Sequence, residues 1–247
     1  MLSPQPPALS PSEVPPAARV VALIEVLLCS GYPTQIALGA TLSVFGVAAE
    51  TPQHGLRIGY VVGISIADSV AVIGLVLLFL RTHGERARDV LFGDRPILRE
   101  ALAGLPLVLV AIGIAGLVLT LIQQFLPSLH TVEHNPLQAL MQSPRNAWLF
   151  VLVALVAGGL REEIQRAFLL HRFNVWLGGG VTGVIVTSAA FGAGHLIQGV
   201  DAAVATGLLG AFWGSVYLRR RSMVAPLVSH AGFDLLQIAA QVLIVAR

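Results

Sequence analysis

Gly158-Gly159-Leu160-Arg161-Glu162-Glu163-Ile164-Gln165-Arg166-Ala167-Phe168 sets four charges inside a stretch, roughly 147–172, that is otherwise apolar enough to cross a bilayer. Ionised groups at membrane depth are costly, so their presence there points to function. Whether the stretch lies in a membrane follows from the rest of the chain. Hydrophobic residues make up 55% of it, charged residues only 11%, and the mean hydropathy is +0.81. Soluble domains carry about 25% charged residues. The expected fold is therefore all-α, a polytopic transmembrane helix bundle.

Spans of about 20 mostly apolar residues mark membrane helices. Seven stretches qualify, at roughly 20–48, 58–80, 101–126, 147–172, 181–198, 202–218 and 224–246. Pro33 predicts a kink in the first. Residues 1–18 hold six prolines and read as a disordered tail. Without a basic start that tail does not resemble a cleaved signal peptide. Three regions follow: the tail at 1–18, three membrane helices with an arginine-rich loop at 19–146, and a membrane-helix core at 147–247 that carries the candidate chemistry.

All 15 basic residues are arginines. Arg81, Arg86, Arg88, Arg95 and Arg99 lie between the second and third spans, Arg172 follows the fourth, and Arg219-Arg220-Arg221 precedes the seventh. The intervening loops hold only Arg57 and Arg145. The positive-inside rule makes the arginine-rich side cytoplasmic, with the N-terminus on the same side. The expected location is a bacterial inner membrane. The bilayer, not nucleic acid, is the partner that this charge pattern implies. Trp148 and Trp176, near the ends of the fourth span, fit an aromatic belt. Cys29 is the only cysteine, which excludes an intramolecular disulfide and a cysteine zinc site.

Two later segments each bring a histidine: Phe191-Gly192-Ala193-Gly194-His195, and His230-Ala231-Gly232-Phe233-Asp234. Residues four apart share a helix face, which pairs Glu162 with Arg166, Phe191 with His195 and His230 with Asp234. Carboxylates and imidazoles in a low-dielectric site can activate water, and an Asp one turn from a His can fix its tautomer or, if neutral, help hold an oxyanion. Each group also has an ordinary reading. The four charges can snorkel to an interface, and His230 and Asp234 can serve as polar glue between helices. Glu25 and Asp68 can pair with arginines or line a proton route. His83, His130, His134 and His171 read as solvated.

The ordered set of an acidic pair with arginine, Phe-x-x-x-His and His-x-x-x-Asp over about 147–240 resembles the CAAX-protease and bacteriocin-processing family of intramembrane glutamate proteases. The resemblance implies an endopeptidase acting on membrane-associated, prenylated or leader-bearing peptides. It implies catalytic roles for Glu162, Glu163, His195, His230 and Asp234, supported by Arg166 and Phe191. Zinc is allowed but not required. Two histidines and a carboxylate could hold it, yet the His-Glu-x-x-His pattern is absent. The first motif departs from the family's Glu-Glu-x-x-x-Arg. Aligning Arg166 with the family arginine puts Arg161 where the catalytic glutamate is expected. The chain is then a variant whose base is Glu162 or Glu163, or an inactive relative serving as a membrane scaffold or immunity-type factor. A proton-coupled transporter using Glu25 and Asp68 is a further alternative. Neither a rhomboid-type serine motif nor a presenilin-type aspartate motif occurs.

Overall fold

The computed structural model describes residues 15–51, 55–133, 135–141 and 143–245. The first 14 residues, and so most of the expected tail, lie outside the described set, as does His134. Helix α1 (Pro16–Leu28) already begins within the proline-rich stretch. Proline is tolerated in a first helical turn, where its missing N–H has no partner to lose. Then follow α2 (Tyr32–Val44), α3 (Ile58–Thr82), the short α4 (Ala87–Leu91) and α5 (Ile97–Phe125). The second half comprises α6 (Pro144–Val153), a π-helical segment (Ala154–Arg161), α7 (Glu162–Trp176), α8 (Gly180–Ala193), α9 (Val200–Arg220) and α10 (Val224–Val245).

This is an all-helical membrane bundle. Among the described residues four helices, α3, α5, α9 and α10, are long and apolar enough to cross a bilayer, and α1 with α2 makes a fifth if that pair, bent by 45°, is one span. The break falls at Cys29–Gly31, where Gly31 takes a left-handed φ of +84°, and not at Pro33. Pro33 sits in the first turn of α2, where it starts a helix instead of kinking one. The fourth expected span is α6, the π segment and α7 in series. Its charges and the change of helical type keep it from reading as a plain span.

Helices in lipid associate through close packing more than through a hydrophobic drive. Helix α5 crosses closely against α10. A Cβ on Gly104 would lie 2.7 Å from the Ala225 carbonyl oxygen, and one on Gly232 would lie 2.7 Å from Val108. A cluster of Phe168, Leu170, Phe173, Val76, Leu80 and Val26 joins α7 to α3 and α1.

The arginine-rich segments meet at one end of the bundle. The Met223 N–H donates to the Leu91 carbonyl at 2.8 Å, and the Tyr217 hydroxyl to that of Val90 at 2.8 Å. Arg220 makes two bonds to Glu100, at 2.6 and 2.9 Å. Arg172 is not a loop residue but is wholly buried in α7, donating to Glu25 at 2.5 Å and to Glu85 at 2.6 Å. The histidines read as solvated are tied as well: His83 to Glu25, His171 to Glu85 and His130 to Asp201, each at 2.7 Å. Paired carboxylates make those imidazoles bridges between segments, not free surface groups. Cys29 is buried and free.

Candidate active site

The level of the site is set by α7 and α8. They run back to back from a turn at Gly178 and Gly179, whose φ angles of +97° and +94° suit only glycine. Glu162 opens α7, 15 residues long, and His195 lies just past the end of α8, 14 residues long. At about 1.5 Å per residue the two groups come out at nearly equal height. A fourth span that stops at 172, as expected from the sequence, leaves His195 at a different depth from Glu162. The extra turn to Trp176 removes that mismatch.

His195 is not on a helix face, because α8 ends two residues earlier. Its Nδ1 instead donates to the Phe191 carbonyl at 2.8 Å, and the two rings meet edge to face at 4.8 Å. The proton on Nδ1 leaves Nε2 available in the neutral ring. His230, on α10, has the same arrangement. Its Nδ1 lies 2.8 Å from Glu163 Oε1, a carboxylate that can only accept. Its Nε2 is then left 3.8 Å from both Glu162 Oε2 and Asp234 Oδ2.

The two adjacent glutamates are differently placed. Glu163 is only 1% exposed and bonds both Arg166 and His230. Glu162, at 15% exposure, lines a cavity of about 340 Å³ together with Arg161, His195, His230 and Asp234. A water molecule takes about 30 Å³ of liquid, so this space admits water beside a peptide segment. A second cavity, of about 410 Å³, lies on the other side of Arg161, Glu162, Phe191 and His195, bounded by Tyr32 and Gln35 of α2 and by Val186 and Ala190 of α8.

Arg166 therefore pairs with Glu163, not with Glu162. The spacing of three residues between Glu163 and Arg166 is as favourable on a helix as four. Arg161 does not snorkel. It donates to Gln165 at 2.8 Å and faces Asp68 at 3.5 Å. Glu25 and Asp68 thus both pair with arginines.

Trp213 of α9 was not singled out by the sequence reading. Its indole stacks on His230 with centroids 3.9 Å apart and planes 20° apart, and its N–H donates to Ser229 at 3.1 Å. The Arg166 guanidinium lies 4.8 Å from the Phe191 ring and 5.6 Å from that of Trp213, a cation–π sandwich that locks the arginine beneath Glu163. The available signal was a tryptophan well inside an apolar helix, away from the interface where this residue usually sits.

The π segment carries Gly158 and Gly159 under α10. A Cβ on Gly158 would lie 2.7 Å from Asp234 Oδ2, and one on Gly159 would lie 3.2 Å from the Ala231 Cβ. Among the described residues no three His, Cys, Asp or Glu side chains are arranged to hold a metal ion, so no chemistry is assigned to one here.

These helices define a membrane protein with a polar cavity among its helices. Residues 144–236 match the family described as Rce1-like, type II CAAX prenyl endopeptidase Rce1-like. The resemblance to the CAAX-protease family, a family of membrane proteases, is thereby shown over the segment that carries every candidate site residue. The helices α1 to α5 lie outside that match. No curated protein and no solved structure matches the chain.

Proposed function

We propose that the protein is an intramembrane endopeptidase whose base is Glu162. The observation that carries this reading is the division of labour between neighbouring glutamates. Glu162 faces a cavity with His195, His230 and Asp234, while Glu163 is sealed behind it and braces His230 and Arg166. Water held by Glu162 and the free Nε2 of His195 loses a proton to Glu162. The oxygen attacks the peptide carbonyl, and the oxyanion is held by His230 in its imidazolium form, with Nδ1–H on Glu163 and Nε2–H on the oxyanion, and by Asp234 in its protonated, neutral form. Glu162 then passes its proton to the leaving nitrogen as the C–N bond breaks. Asp234 and His230 thus act directly, whereas Arg166, Glu163 and Phe191 hold them in place.

The family match favours prenylated peptides presented at the membrane as substrates. We further infer a bacterial inner-membrane location, with the arginine-rich end and the N-terminus cytoplasmic. An inactive relative is the reading favoured by Arg161, which stands where the family's first glutamate is expected. Reconstituted protein should release the C-terminal fragment of a farnesylated Cys-terminal-box peptide in liposomes, detected by mass spectrometry. The same peptide without its prenyl group should be cleaved at least about tenfold less efficiently, since remote binding energy is spent in the transition state. No release from either peptide supports the inactive relative.

A further inference from the structure

Arg161 brings a cation into the wall of the cavity, next to the proposed base. One nitrogen, Nη2, lies 3.5 Å from Asp68 Oδ2 and 3.8 Å from Glu162 Oε1, so two carboxylates compete for it. The other, Nη1, is fixed to Gln165. Asp68 has the advantage of burial, with its side chain 2% exposed against 15% for Glu162. Less water screens its charge. It is also held in place from α2, where the Thr34 hydroxyl and the Gln35 amide, the latter at 3.3 Å, both bond its carboxylate.

We infer that Asp68 is a positioning residue that holds the Arg161 guanidinium off Glu162 and so leaves Glu162 free to take a proton from water. The inference rests on the reading of Glu162 as base. It gives the arginine at the unexpected position a compensating acid, drawn from α3 and steadied by α2, both outside the matched segment. Without Asp68 the nearest acid to Arg161 is Glu162. A base clamped in an ion pair is both neutralised and turned from the cavity, and misplacement of about 1 Å can cost roughly 100-fold in rate.

The test is a double-mutant cycle on the reconstituted full chain, with the farnesylated peptide as probe and a structure of the Asp68→Asn protein as a second arm. Asp68→Asn should lower kcat by about 10- to 100-fold with KM within about twofold. Asp68→Glu should keep most of the activity, because a carboxylate is restored. Adding Arg161→Gln to Asp68→Asn should recover kcat to within about threefold of Arg161→Gln alone, as coupled sites do not add. A double variant as slow as Asp68→Asn, or an Asp68→Asn kcat equal to wild type, overturns the inference. The structural arm needs no turnover: Arg161 should move onto Glu162, and an unmoved guanidinium overturns it as well. Glu162→Gln that cleaves like wild type, or a wild type that cleaves nothing, instead removes the underlying base reading.

Discussion

At the scale of single residues, the neighbouring glutamates are the sharpest test of role. Glu163 is buried between Arg166 and His230, so Glu163→Gln leaves a buried guanidinium without its counter-charge. Breaking a buried pair costs about 3–5 kcal/mol. Thermal unfolding in detergent should therefore show a clear drop for Glu163→Gln and a small one for Glu162→Gln, whose side chain faces the cavity. Equal drops would mean that both are structural. Both histidines, their motif partners and the acidic pair stand out in the sequence because each lies in a short motif, but helical spacing paired Arg166 with Glu162 and set His195 on a helix face, where the structure pairs Arg166 with Glu163 and ends α8 at Ala193. The sequence left the choice between Glu162 and Glu163 open. They are about 100° apart on a helix, and only the position of α10 decides which one faces water. It misread Arg172, His83, His130 and His171 for a related reason: their partners, Glu25, Asp201 and Glu85, are far away in the chain.

At the scale of elements, the π segment is the feature that hydrophobic periodicity does not reveal. Wider helical turns of this kind are rare and concentrate at functional sites. Here the segment ends at Arg161, so it sets the phase at which α7 presents Glu162 and Glu163. Its Gly158 makes room for Asp234, whose Oδ2 lies only 2.7 Å from where a Cβ would stand. The obstructing atom is the far end of a flexible side chain, so Gly158→Ala should barely change the melting temperature. It should lower kcat by about tenfold or more by displacing Asp234. Gly104→Ala is the control with the opposite signature. There the added methyl meets the backbone oxygen of Ala225, so α5 and α10 must separate. A large loss of thermal stability is expected for it. Similar unfolding curves for the two variants would contradict this assignment of roles.

At the scale of the whole molecule, two ionic ties close the arginine-rich end of the bundle: Arg172 with Glu25 and Glu85, and Arg220 with Glu100. Glu85 lies in the loop between α3 and α4. Its partial burial raises the carboxyl pKa, but hydrogen bonds from His171 and Arg172 outweigh that and bring it below the ordinary value of 4.5. A depressed carboxyl pKa means stability that is present above the ordinary value and lost as pH falls through the lowered one. Glu85→Gln should therefore lower the melting temperature at pH 7, and its gap from wild type should close on acidification below about 4.5. A gap unchanged at acid pH would show that the charge of Glu85 contributes nothing.

The general course of the spans was legible from apolar length alone, since that property is local. Apolar length does not by itself fix the number of crossings, because the expected fourth span divides into α6, the π segment and α7, and α8 is only 14 residues long. These departures all serve the site. The short α8 ends level with Glu162, and the broken fourth helix brings its charges inward. The most direct test of the account is kcat of Glu162→Gln on the membrane-held farnesylated peptide, with folding verified by thermal unfolding. Loss of a general base predicts a fall of about 100- to 10,000-fold. A folded Glu162→Gln protein that cleaves within about threefold of wild type would contradict it.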